Sequence, residues 1–242
     1  MESQAPTPPT DWERPGDPVR RFLHDLKDIH LRPTAFFRSL PTTGGLAGPL
    51  AFALVAHWAG TGLEFLWDQL TGQTLQKRIQ DMFRMLAQYS DVDTVSRDAW
   101  IQKTQDSVWH FVTGVGTVIA DPFLTLLGIV VTAALATLGA KLLVPEQPGR
   151  PPVTFETTTR VICYGLAPAV LTAVPYLGGI TSKIWILVAT VTGIRETYRV
   201  SGGRAFVITV FPKLLFFTLI LAVVLFIAVL VLGLFGAALK SG

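Results

Sequence analysis

Residues 164–179 read "YGLAPAVLTAVPYLGG". They lie in a run from Val161 to Ser182 without a charge, bounded by Arg160 and Lys183. Such a run suits a helix crossing a bilayer. Two prolines, Pro168 and Pro175, interrupt it. Each removes a helix hydrogen bond and opens a kink. At a spacing of seven they fall near one face, and the carbonyls they free, at 164 and 171, gather on one side. Those carbonyls should face protein or water, not lipid. Two readings stay open: a hinge or polar notch, as in transporters with broken helices, and a fixed kink that bends the span around a neighbour.

The totals point the same way. Half of the 242 residues are hydrophobic and 15% are charged, against about 25% charged in an ordinary soluble domain. The charge is unevenly spread: residues 1–38 are polar, whereas 214–239 carry none. This predicts an all-α integral membrane bundle. A net charge of +3 without a basic stripe argues against nucleic acid. Cys163 is the only cysteine and the four histidines are scattered, so neither a disulfide nor a metal site is expected. Residues 1–18, with five prolines and no apolar core, predict a disordered tail rather than a secretory signal.

Working outward, "HDLKDIHL" (24–31), with Leu23, Leu26, Ile29 and Leu31, predicts a short amphipathic helix ending before Pro33. "RPTAFFRSLP" then sets an aromatic pair between two arginines, a pattern suited to a membrane surface. Five spans are predicted, at about 46–67, 121–143, 160–179, 180–199 and 213–239. The fourth has only 11 uncharged residues between Lys183 and Arg195, so it needs both to snorkel. Between the first two spans, 68–120 reads as a polar insert with an amphipathic helix over 75–89. Its end, 107–120, is too short to cross and predicts an interfacial or re-entrant piece. With the N-terminus cytoplasmic, 13 Lys and Arg lie inside and 7 outside, which favours an N-in, C-out topology.

The charged and polar groups near the spans are the site candidates. Arg160, Arg195 and Glu196 read either as a pathway or partner site or as an interfacial charge cluster. The short turn "LGGITSK" predicts an antiparallel hairpin of spans three and four. That hairpin sets Arg160 level with Glu196, and Glu156 level with Arg199. Arg195 is then left to meet a headgroup or a partner. His57 and Glu64, seven apart on span one, read as a relay or as a locally bonded His and an interfacial Glu. No nucleophile elbow, phosphate loop or paired intramembrane carboxylates occur, so neither catalysis nor a cofactor is expected.

The segment "CYGLAPAVLTAVPYLGGITSKIWILVATVTGIRETYRVSGGRA" (163–205) resembles the Yip1 family of membrane proteins, most closely its bacterial branch. Tyr164, Pro168, Pro175, Gly178, Trp185 and Gly193 carry the resemblance, and "LRPTAFFRSL" (31–40) is similar to the family's entry. It implies a cytoplasmic tail and short helix over 1–43 and a membrane domain over 44–242. It also implies a non-enzymatic multi-pass protein of the bacterial inner membrane that organises membrane or recruits protein partners, or self-associates through its helices. The competing expectation is a transporter, channel or lipid-moving protein working through the kinked third span. Eukaryotic relatives that associate with Rab-type GTPases carry an Asp–Leu–Tyr–Gly–Pro motif. This chain lacks it, so that role is not carried over.

Overall fold

The computed structural model describes residues 10–71, 99–175 and 177–240. All regular structure among them is helical. Helix α1 spans Pro18–Leu31, α2 Pro33–Arg38, α3 Ala47–Thr71, α4 Ala99–Leu143, α5 Phe155–Gly165, α6 Gly178–Tyr198 and α7 Gly202–Lys240. A 3-10 segment, Ala167–Ala173, follows α5. Among the described residues, three helical stretches are long and apolar enough to cross a membrane: Ala47–Trp67, Ala120–Leu143 and Gly202–Ile227. They match the first, second and fifth expected spans. The expected amphipathic helix over 75–89 lies outside the described residues.

The third expected span is not one kinked helix. Helix α5 stops at Gly165, the chain turns through the 3-10 segment, and α6 starts afresh at Gly178. Pro168 falls in the first turn of the 3-10 segment, where its missing N–H leaves no bond broken. The Leu171 carbonyl accepts the Val174 N–H at 3.0 Å, so the carbonyl freed by Pro175 is bonded within the turn. The break also brings backbones together. A Cβ on Gly178 would lie 2.3 Å from the Leu171 oxygen, and one on Gly60 of α3 would lie 2.2 Å from the Ala169 oxygen.

Helix α5 is the centre of the bundle, with every residue from Thr157 to Gly165 buried. A sequence as polar as "TTTR" tolerates this because its hydroxyls bond locally. Thr154 caps the helix by accepting the Thr157 N–H, and Thr158 and Thr159 donate to carbonyls four residues back. Helix α6 runs antiparallel to α5. Thr158 meets the Tyr198 hydroxyl at 2.7 Å, and Gly193 and Gly165 admit Val161 and Thr190.

Two further expectations change. Residues 107–120 belong to the continuous 45-residue α4, which runs through Pro122. Gly114 and Gly116 weaken a helix in water, but a water-poor setting forces backbone groups to bond within the segment. The last helix begins at Gly202, before Pro212, because Ala205, Ile208 and Thr209 are buried in the bundle.

Candidate functional site

The first turns of α5 and α3 and the last turn of α6 meet at one end of the bundle, and residues 10–45 close over it. The organising group is Arg160, whose side chain is fully buried. Its Nη2 donates to both carboxylate oxygens of Glu13, at 2.5 and 2.8 Å. Its Nε donates to the Pro41 carbonyl at 2.8 Å and its Nη1 to the Gly45 carbonyl at 2.7 Å. A buried guanidinium is sustained only by such complete pairing. One turn along α5, the Tyr164 hydroxyl donates to Glu13 at 2.9 Å and sits 2.7 Å from the Thr10 hydroxyl.

The loop between α2 and α3 is shaped to present those carbonyls. Gly44 and Gly45 take φ of 125° and 88°, values that side chains strain to reach. Glu156 accepts the Gly45 N–H at 2.7 Å, and Thr157 donates to the Thr42 carbonyl at 3.0 Å. Gly48 is required as well, since a Cβ there would sit 2.8 Å from Glu13 Cγ.

Trp12 is the second anchor. Its indole N–H donates to the Gly48 carbonyl at 2.8 Å, and its ring packs edge-on against Phe22 and Phe52. Phe52 in turn packs on Tyr164. The Trp12 backbone N–H donates to Asp25, which is buried on the inner face of α1 with Phe22 and Ile29. Burial pushes the Asp25 carboxyl above the usual carboxylate range. The Trp12 N–H and nearby His24 pull it back, and Asp11 adds to the rise. Asp11, His24 and Asp25 bring ligand atoms within 4.8 Å of one another, close enough to share a cation. Arg14 pairs with Asp11 there at 2.9 Å.

This arrangement corrects three expectations. Residues 10–17 are an ordered strap, because Trp12 and Glu13 supply an aromatic body and a counter-charge that an average over 1–18 conceals. Phe37 is buried and Phe36 packs on Tyr164, so the aromatic pair belongs to the protein and not to a headgroup zone. The predicted Arg160–Glu196 and Glu156–Arg199 pairs do not form. Glu196 binds Arg38 of α2 at 2.8 Å, and Arg199 donates to the Gly149 carbonyl.

A family model, the Yip1 domain, matches residues 27–226. The chain belongs to the Yip1 family. No curated protein and no solved structure gives a significant match. The match holds Arg160, Tyr164 and the Gly44–Gly45 loop, whereas Thr10, Trp12 and Glu13 precede it. The Yip1 domain here therefore carries a basic socket filled by a carboxylate from outside the matched region.

The remaining candidates are dispersed. Arg195 is exposed, 3.7 Å from its neighbour Glu196. His57 pairs with Asp121 of α4 at 3.1 Å, and Glu64 is exposed. Glu13, Trp12, Asp25 and Asp121 are the groups that sequence reasoning passed over. Asp121 carried a usable signal, since a histidine within a span calls for a polar partner.

Proposed function

We propose that the protein is a non-enzymatic multi-pass protein of a bacterial inner membrane that recruits protein partners through its strapped end. In this reading that end, with most of the Lys and Arg, faces the cytoplasm. The α5–α6 hairpin makes two crossings beside the three apolar helices, which leaves the C-terminus outside. The reading rests on how α1 is held. Its inner face is fastened by Phe22, Asp25 and Ile29, while Val19, Leu23 and Leu31 stay exposed on the opposite side, within about 120° of one another. A rigidly mounted helix that presents Val19, Leu23 and Leu31 among the exposed Arg20 and Lys27 is a mixed apolar and basic docking element.

The test is photo-crosslinking in cells. Crosslinkers at Val19, Leu23 and Leu31 should capture protein, and one at Phe216 of α7 should capture lipid. Capture of lipid alone at all four positions would sink the recruiting role. The lipid-moving alternative draws support from the helix break at 166–177. It predicts that vesicles holding only this protein exchange lipid or solute between their two sides, whereas the recruiting reading predicts none.

A further inference from the structure

A cleft of about 260 Å³ lies among α4, α5, α6 and α7, with His57 of α3 also in its wall. Ile129, Ile162, Leu166 and Ile194 make it mainly apolar, and Lys213 reaches it from α7. Its sequence neighbours show what surrounds it. Leu127 and Val130 of α4, Trp185 of α6 and Leu214 of α7 are all exposed. Two of these helices, α4 and α7, carry stretches fit to cross a bilayer. Exposed apolar side chains thus flank the residues that wall the cleft. At about 30 Å³ per water-sized group, the volume takes roughly eight or nine methylenes, about half of a typical acyl chain.

The charges of the cleft do not balance. His57 has Asp121 as its partner. Lys213 has no carboxylate within salt-bridge distance among the described residues, and 26 uncharged residues follow it. An ammonium so placed in an apolar belt draws an anion to it. We propose that the cleft holds part of one acyl chain of an anionic phospholipid from the surrounding bilayer, with Lys213 on its phosphate. This site is independent of the recruiting role assigned to α1.

Gly128 makes the site testable. It lines the cleft, and a Cβ there meets no atom within 4 Å, so a side chain can start from this position without a clash at its Cβ. The intact protein, purified in mild detergent with equal phosphatidylglycerol and phosphatidylcholine, is examined by native mass spectrometry for retained lipid. The wild type should keep one phosphatidylglycerol, preferred roughly tenfold, because the choline cation of phosphatidylcholine offsets the phosphate charge that Lys213 meets. Gly128→Phe should lose that lipid while its thermal transition holds or rises. Lys213→Gln should keep a lipid but no preference between the two headgroups. Full retention by folded Gly128→Phe overturns the site. An unchanged preference in Lys213→Gln also overturns it, because the lysine then only snorkels to the interface. Added oleate taking the place of phosphatidylglycerol in the wild type would show a fatty-acid site instead and overturn the phospholipid. Were Gly128→Phe not to fold, the preference of Lys213→Gln decides the matter.

Discussion

Helices α5 and α7 reverse the usual rule of polar outside and apolar inside. Helix α5 holds three threonines and an arginine in succession and is buried from Thr157 to Gly165. From Leu214 to Ile227, α7 has no charge, and its large apolar side chains, Phe216, Leu219 and Val223 among them, are exposed. Both arrangements are stable for one reason: each side chain meets a medium that suits it. The threonines and Arg160 meet carbonyls and a carboxylate, and the apolar face of α7 meets hydrocarbon. Hydropathy in this chain therefore marks contact with lipid, and the centre of the molecule is its polar helix.

The sharpest way to break that comparison is to empty the polar centre. Arg160→Ala leaves Glu13 without its counter-charge and two carbonyls without their donors. The expected loss is about 3–5 kcal/mol in an unfolding titration in detergent. A loss under about 1 kcal/mol would show that the strap does not depend on Arg160. The complementary test puts charge where lipid is expected. Val223→Arg should cost about 2.5–3.5 kcal/mol of membrane insertion, read from the ratio of inserted to translocated α7 in a glycosylation-reporter assay. An unchanged ratio would place Val223 against water or protein.

The smallest effect sharpens the picture at the strap. The folded protein holds the Asp25 proton more tightly than the unfolded chain does, since burial raises its pKa above 3.8. The stability tied to that proton is fully present below the ordinary value and is lost as pH climbs through the raised one. Asp25→Asn does not titrate. It should match the wild type at the acid end and exceed it near neutrality. A difference that does not change with pH would show that Asp25 keeps an ordinary pKa in the fold.

Helix positions were more legible than helix faces. Uncharged runs located α3, the latter half of α4 and most of α7, because burial in lipid needs length and the absence of charge. The turn at 177–183 and a 1.5 Å rise set Arg160 level with Glu196. The observed contacts of Thr158 with Tyr198, Val161 with Gly193 and Gly165 with Thr190 keep that level. The direction in which Arg160 points was not legible. It is set by Glu13, 147 residues away, and nothing local in "TTTRVICY" encodes a partner at that distance. The end of α5 was misread for a similar reason. Pro168 and Pro175 are compatible with a kink or a break, and close packing at Gly60 and Gly178 decides for the break.

The long separation within the strap also imposes a schedule. Glu13, Pro41 and Gly45 all await one guanidinium, which lies 147, 119 and 115 residues downstream of them. At a synthesis rate of about 5–20 residues per second, Glu13 is made roughly 7–30 s before the Arg160 that receives it. During that interval Trp12 and the two faces of α1 are open to whatever is nearby. The strap closes late in the life of the nascent chain, and a chain arrested before Arg160 would display its amino-terminal segment for as long as it persists.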